Sequence, residues 1–541
     1  MKMNTKKIKL FSLSLALALL ISSCQAGPPD TLDKEDNGDT LRFMLLEEPK
    51  ELDPTEANES YASPVIYHTF EPLLVIDQNG DLIPAAASSW EVTDNNRTFT
   101  FTIRKEAKWS DGTALTAYDF ASTYLRILSP ESPTQNSGLL SPYILGATEY
   151  MAGNLDAADL GIKALDNHTL ELKTTSPTPY FLQVLAFSNL SPVRVDIVTE
   201  NGEQWDQSAQ SYIGNGAFYM STYDFGKKIV LKKNPNYWNA DSVRLESIIF
   251  SFRQQGQDPI DAFLEDTIDG IYELTANELR IHPELEPDVY THIAPSTSFI
   301  VINHDRLLLK NSDFRRAIEM AIDRKKIVDQ VILGAGIPSK YLVPLTYTIN
   351  AEPFHDFTEL DKAPDYQAAK LIIDDLKARN LITDKPLRIF AMDSGPDADV
   401  ANEIAHDLET KLGLAVEVST YPWAELFSKS MAGEYDLIML GFGGDYPHPM
   451  TFLSNFIEDG ILTDILNWHN PEFDLLLSET LQTTDEKIAL EQFRALEAMI
   501  LDDHHIINLY HRKKVNLMSS RIKGWYRNSI SMYVFTHAYI E

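Results

Sequence analysis

The sequence predicts a mixed α/β protein of at least two domains, and three observations carry that prediction. Strand and helix patterns alternate between residues 386 and 441 in the order of a parallel sheet. Residues 94–104 combine a turn with strict apolar/polar alternation, the pattern of a half-buried antiparallel strand. The chain has 541 residues, more than one ordinary domain holds.

In chain order, the first element is an export signal. Lys2, Lys6, Lys7 and Lys9 form a positive segment, and Leu10 to Ile21 is an apolar run too short for a bilayer, which needs ~20 residues. Ile21-Ser22-Ser23 then precede Cys24, the single cysteine of the chain. That order resembles the lipobox of bacterial lipoproteins, which implies cleavage after residue 23 and a lipid on Cys24. With no second cysteine no intrachain disulfide can form, so stability must come from burial. Residues 24–39 are polar and rich in Pro, Gly and Asp, the composition of a flexible tether.

The formal net charge is −33, and losing the signal lysines makes it more negative. A surface of that sign repels phosphate backbones, so nucleic acid is not an expected partner, and attachment to anionic lipid must rest on acyl chains.

The globular part opens with local patterns. Phe99, Phe101 and Ile103 share one face of a strand over 98–104, paired across the Asp94-Asn95-Asn96 turn. Thr116 with Asp119 reads as a capping box opening a helix through Phe120 and Tyr124. Phe314, Ala317, Ile318, Ala321 and Ile322 have helical spacing, which leaves Arg315, Arg316 and Glu319 facing water. From 387 onward the order is strand (387–392), helix (400–412) with Gly413 as its C′ residue, strand (414–420), helix (423–431) and strand (435–440).

Ligands bind beyond the carboxyl ends of strands in such βαβαβ units. Beyond the third strand comes Gly441-Phe442-Gly443-Gly444-Asp445-Tyr446-Pro447-His448-Pro449. Its glycines allow close backbone approach. Asp445, held between them and a proline-restricted stretch, is able to accept a hydrogen bond from an ammonium group or to cap the helix starting near Met450. His448 reads as a loop histidine at the surface.

Several blocks occur in a fixed order: Glu48-Pro49-Lys50-Glu51-Leu52-Asp53-Pro54, Phe70-Glu71-Pro72-Leu73-Leu74, Pro84 to Trp90, Arg104 to Gly112, Asn215-Gly216-Ala217-Phe218, Asn234-Pro235-Asn236-Tyr237-Trp238 and Asp445 to Leu453. As an ordered set they resemble the oligopeptide-binding proteins of bacterial ABC importers, across nearly the whole mature chain. The resemblance implies a bilobed, periplasmic-binding-protein type II-like fold of cluster C. It implies three domains: a discontinuous domain I (40–58, 190–292 and 518–541), domain II (59–189) and domain III (293–517). Its implied partners are oligopeptides and the transmembrane subunits of an ABC permease, for a monomer lipid-anchored to the cell membrane and facing the periplasm or the exterior. By family position Asp445 accepts the peptide α-ammonium group, Trp423 lines a side-chain pocket, Gly441, Phe442 and Tyr446 flank the acid, and Tyr143 and Tyr510 contact ligand. One departure concerns the peptide's other end. Met439 stands where some relatives carry an arginine for the terminal carboxylate, which leaves Arg512 or Lys513 for that work, or a preference for longer peptides.

An enzyme is the competing class. The sequence carries no Gly-x-Ser-x-Gly elbow, no His-Glu-x-x-His and no phosphate loop, and Asp502 and Asp503 read as solvated charge. His504, His505 and His511 would form a metal site only with strand distortion, so neither cofactor nor metal is expected. Binders of nickel, haem or another small solute share the fold, as do peptide-sensing surface lipoproteins, because fold does not fix ligand.

Overall fold

The computed structural model describes residues 39–541 except 275, 350–351, 356–361, 383–384, 459, 467 and 484. Cys24, the signal and residues 24–38 of the tether lie outside the described residues. Among the described residues no helix is long and apolar enough to cross a membrane.

Two sheets organise the chain. Strand β1 (Thr40–Leu45) belongs to the large one, and four later strands, β2 (Ala87–Thr93), β3 (Thr98–Ile103), β4 (Ile162–Asp166) and β5 (Thr169–Lys173), form a separate antiparallel sheet in the order β2-β3-β5-β4. The turn before β3 needs left-handed backbone at three successive residues, and Asp94, Asn95 and Asn96 supply it with φ of 52°, 51° and 60°. Helix α1 (Ala117–Ile127) covers this sheet and starts as expected, the Thr116 backbone N–H donating to Asp119 Oδ2 at 2.7 Å.

The large sheet continues with β6 (Phe218–Asp224), β7 (Lys228–Lys233), β8 (Ser247–Phe252), β9 (Gly270–Leu274), β10 (Val289–Ile302), β11 (Leu387–Met392), β12 (Val416–Tyr421), β13 (Leu437–Gly443) and β14 (Ile506–Met518). With the short Gly336–Pro338 strand on β14 it has 11 strands, and the main order is β12-β11-β13-β10-β14-β9-β1-β8-β7-β6. The long strands β10 and β14 pair with each other and carry the sheet from one half of the molecule to the other. Their register breaks between Ile293 and Thr297, at Pro295, which has no N–H for a ladder.

The βαβαβ expectation is met: β11 is parallel to both β12 and β13. Helices α2 (Asp397–Leu412) and α3 (Trp423–Met431) make the crossovers, α2 ending on Gly413 at φ 63°. The third strand runs later than predicted, Leu437–Gly443 instead of 435–440, because its glycines pair along β10: Gly441 faces Ser298 and Gly443 faces Ser296. Its side chains alternate between two cores, Ile438 and Leu440 in one and Leu437 and Met439 in the other.

One expectation fails on the helix Ser312–Met320. Arg316 faces water, but Arg315 is buried at 5% exposure. Its Nε donates to the Asp503 carbonyl and its Nη1 to the Leu309 carbonyl, both at 2.8 Å, so the cation satisfies two carbonyls left over where the helix packs against the turn before β14. Glu319 is half-buried and accepts from Arg324 Nη2 at 3.3 Å. Periodicity locates a helix face but does not say which loops land on it.

The blocks at 70–74, 104–112, 215–218 and 234–238 meet around one carboxylate, Glu71. The Asn215 amide closes a pair of hydrogen bonds with the Glu71 backbone, accepting its N–H at 2.9 Å and donating to its carbonyl at 2.8 Å. The Glu71 side chain accepts from the Tyr237 hydroxyl and from Trp238 Nε1. Arg104 lies 3.7 Å above the Trp238 ring. Gly214 and Gly216 bring their segment against the backbone of 68–70 so closely that a Cβ on Gly214 would lie 1.9 Å from the Thr69 carbonyl oxygen. A second knot holds the 48–54 block: Asp53 accepts from Arg126 Nη2 at 2.7 Å and from Trp205 Nε1 at 3.0 Å. These blocks act as structural staples of the N-terminal half.

Candidate functional site

The site is built on the end of β13. The ladder to β11 stops at Ile438, while pairing with β10 continues to Gly443. Among the described residues, therefore, no strand pairs with the β11-side edge of β13 beyond Ile438, and Gly441 and Gly443 there are exposed. Such an edge offers unpaired N–H and C=O groups to an extended guest.

The chain after this edge is pinned. The Gly444 N–H donates to the Pro295 carbonyl at 2.7 Å, and the Asp445 N–H donates to Thr451 Oγ1 at 3.0 Å. Gly444 has no room for a side chain, since a Cβ would lie 1.9 Å from the Tyr347 hydroxyl. Asp445 is thereby held half-buried, and burial pushes its carboxyl up to about 6. Among the described residues no cation is paired with it and its carboxylate accepts no assigned hydrogen bond. Its charge reaches the phenols of Tyr143, Tyr347 and Tyr446 and contributes to holding them above their ordinary range, after burial. A half-buried carboxylate without an internal partner is able to take a cation from outside. Asp445 does not cap the short helix Met450–Leu453, so the capping alternative drops out.

Tyr446 and Tyr143 have their hydroxyls 3.2 Å apart, which joins the region of the small sheet to the loop after β13. Tyr180, not singled out in the sequence, stacks on Tyr446 at 5.8 Å and on His448 at 4.9 Å. His448 is the second correction. It is buried, with the Phe493 ring edge-on at 5.1 Å, and its Nδ1 accepts the Met450 N–H at 3.2 Å. Burial lowers it to about 3, so it is a neutral packing residue. A lone histidine in a loop gives no sequence sign of the aromatic partners that enclose it.

The remaining candidates scatter. Phe442 packs edge-on against Phe452 at 5.3 Å, and Gly441 lies under the Arg512 guanidinium, where a Cβ would come within 2.7 Å of Nη2. Trp423 begins α3 and is half exposed, its ring 5.6 Å from Phe427. Tyr510 is 1% exposed within the second core, lying over Gly336. Met439 is likewise in that core, so its thioether does not reach the free strand edge. The three histidines do not converge. His504 approaches Glu319, His505 meets the His304 ring at 4.7 Å, and His511 Nε2 donates to the Tyr341 carbonyl at 2.9 Å.

Beside the strand edge opens a cavity of about 320 Å³, lined by Ser60, Tyr272, Ser296, Gly441 to Gly443, Arg512, Lys514, Arg527 and Ser531 among others. It draws on both halves of the large sheet, at the bend where β10 and β14 change register.

Residues 81–462 match the family described as bacterial extracellular solute-binding proteins, family 5 Middle. The oligopeptide-binding protein OppA of Bacillus subtilis (strain 168) is 27% identical over 553 residues, covering 99% of this chain and 100% of that protein. Among solved structures, a periplasmic oligopeptide-binding protein (OppAIV) of Borrelia burgdorferi superposes with a TM-score of 0.77 at 28% identity, over 93% of this chain and 100% of the other. Haemophilus influenzae OppA in complex with RPPGFSPFR superposes with a TM-score of 0.76 at 25% identity, over 93% and 99% of the two chains. With a family match across most of the described fold and an alignment that runs from end to end, this chain belongs to the bacterial extracellular solute-binding proteins of family 5 and has their bilobed type II fold.

Proposed function

We propose that this protein captures oligopeptides in the cleft between its lobes and delivers them to an ABC importer, held at the outer face of the cell membrane by lipid on Cys24. One observation carries the reading: among the described residues, a strand edge unpaired on its β11 side beyond Ile438 leads directly to a half-buried carboxylate without an internal cation. An extended peptide would add a strand to that edge through main-chain hydrogen bonds, which are blind to sequence, and seat its α-ammonium group on Asp445. Gly441 and Gly443 would let the peptide backbone approach, while Phe442, Trp423, Tyr143 and Tyr446 would line the side-chain positions. Tyr510, deep in the core, would act by supporting the strand and not by touching ligand. Hinge motion would take place in β10 and β14 about the register break at Pro295, with the closed form being the one a permease recognises. The hinge would separate domain III (293–517) from domain I (40–58, 190–292 and 518–541) with domain II (59–189), and a monomer suffices for the mechanism. No chemical step is required of the protein.

The direct test is native mass spectrometry of the protein produced without residues 1–23, with sequencing of whatever co-purifies. A ladder of bound peptide masses is expected. A single discrete non-peptide mass, such as haem or a nickel chelate, would sink the proposal. The anchor has its own test: in the full-length protein, Cys24→Ser should move the protein from the membrane fraction to the soluble one, and an unchanged membrane fraction would rule out the lipid.

A further inference from the structure

Two aromatic platforms, each fixed to its own side of the molecule, meet beside Asp445. The first belongs to the small sheet. Tyr180 immediately precedes the helix Phe181–Leu185, and the Phe181 ring packs edge-on against Phe99 of β3 at 5.1 Å. Tyr143 lies edge-on to Tyr180 at 5.8 Å and equally far from Phe181. The backbone fixes this platform as well, since the Thr175 N–H donates to the Tyr143 carbonyl at 2.9 Å and the Thr178 N–H to the Asn96 carbonyl at 3.0 Å. The second platform is the loop after β13. Pro447 and Pro449 restrict its backbone, the Met450 N–H donates to His448 Nδ1 at 3.2 Å, and Phe493, on the helix Glu486–Asp502, holds the imidazole edge-on.

The platforms meet face to face. The Tyr180 ring is within 9° of parallel to Tyr446 and within 17° of parallel to His448, and the Tyr143 and Tyr446 hydroxyls approach to 3.2 Å. Tyr180, Tyr446 and His448 are all buried. Any motion that parts the two sides must separate these stacks and wet their faces. Offset aromatic pairs contribute about two- to tenfold in an equilibrium constant beyond the area they bury. Among the described residues no ion pair joins Tyr143 or Tyr180 to the loop 444–449, so the rings can part without stranding a charge. Tyr446 follows Asp445 directly, which places the contact over the carboxylate.

We propose that Tyr180 and His448 form an interlobe latch, as positioning residues that hold the two sides together over Asp445 and set how slowly a bound peptide leaves. The inference rests on the peptide reading above. With the hinge in β10 and β14 and the latch at the aromatic stack, the closed form is fixed at two separate places. The latch is made by the protein alone, so it contributes equally whatever side chains the guest carries. Entry uses the parted form and the latch forms afterwards, so its loss speeds dissociation and does not slow association.

Stopped-flow tryptophan fluorescence with trialanine tests this. Tyr180→Leu and, separately, His448→Leu should raise the dissociation rate about tenfold, with no fall in the association rate. Tyr180→Phe, which keeps the ring, should restore the slow rate. The double leucine variant should be no worse than either single one, because both remove the same contact. Packing lost separately on each side would instead multiply, and thermal melting checks that all variants fold. Small-angle X-ray scattering of the same proteins, stripped of co-purified ligand, should give a larger radius of gyration for the leucine variants than for the parent. Unchanged dissociation rates, or losses that multiply in the double variant, would overturn the latch and leave the peptide reading standing. If trialanine binds none of the proteins and no peptide co-purifies, the peptide reading fails and scattering alone decides: a larger radius in the leucine variants keeps the latch, and an equal one overturns it too.

Discussion

Asp445→Asn lowers affinity for a short peptide with a free α-ammonium group by about 30-fold or more, the lower end of the ~2–5 kcal/mol that follows when a buried charge loses its partner. Asparagine keeps the shape and the backbone bond to Thr451 Oγ1, so the loss isolates the charge. An N-acetylated peptide, with no ammonium group to lose, should bind the parent and the variant alike. The pH profile follows from the same carboxyl, which burial holds at about 6. The ligand requires the ionised form, while a peptide α-ammonium group stays charged up to ~8. Affinity is therefore full above pH 6 and falls as pH drops through it, by up to about tenfold per unit, with proton release on binding near pH 6. The Asp445→Asn variant should show no such fall. Calorimetry at pH 5, 6 and 7 makes the comparison, and parallel profiles for parent and variant would remove Asp445 as the anchor.

Glu71→Ala destabilises the fold by about 3–5 kcal/mol in denaturant unfolding, without contacting the cleft. Alanine strands the Tyr237 hydroxyl and Trp238 Nε1 as buried donors without an acceptor and leaves Arg104 without its counter-charge. Glu71→Gln retains one acceptor and removes a charge that burial already pushes up to about 7, so its cost should be near 1 kcal/mol. The sign of the pH effect is definite. A carboxyl raised in the folded state contributes stability at low pH that is lost as pH rises through about 7, so the gap between parent and the Gln variant should narrow from pH 5 to pH 8. Equal stability of the Ala and Gln variants would show that the Glu71 knot contributes no more than filled space.

Different parts of this protein were legible to different degrees. Where a pattern is local, the sequence suffices. The capping box at Thr116, the left-handed turn at 94–96, the Gly413 helix end and the βαβαβ order all follow from backbone sterics and side-chain period within a few residues. Asp445 was legible for the same reason, since glycines and prolines around a lone acid mark a constrained loop at a strand end. Arg315 and His448 were misjudged because their burial is set by the turn at Asp503 and by Tyr180 and Phe493, distant in sequence and near only after folding.

The amino-acid sequence by itself determined the elements, the family and the acid at the strand end, because each depends on neighbours in the chain or on blocks kept as units. The tertiary structure alone decided that several N-terminal blocks converge on Glu71, that among the described residues the β11-side edge of β13 is left unpaired beyond Ile438, and that Arg512, Lys514 and Arg527 meet in one cavity. Those three cations come from a long strand and a C-terminal segment that pack together, and their mutual field exists only where desolvation and proximity are set by packing.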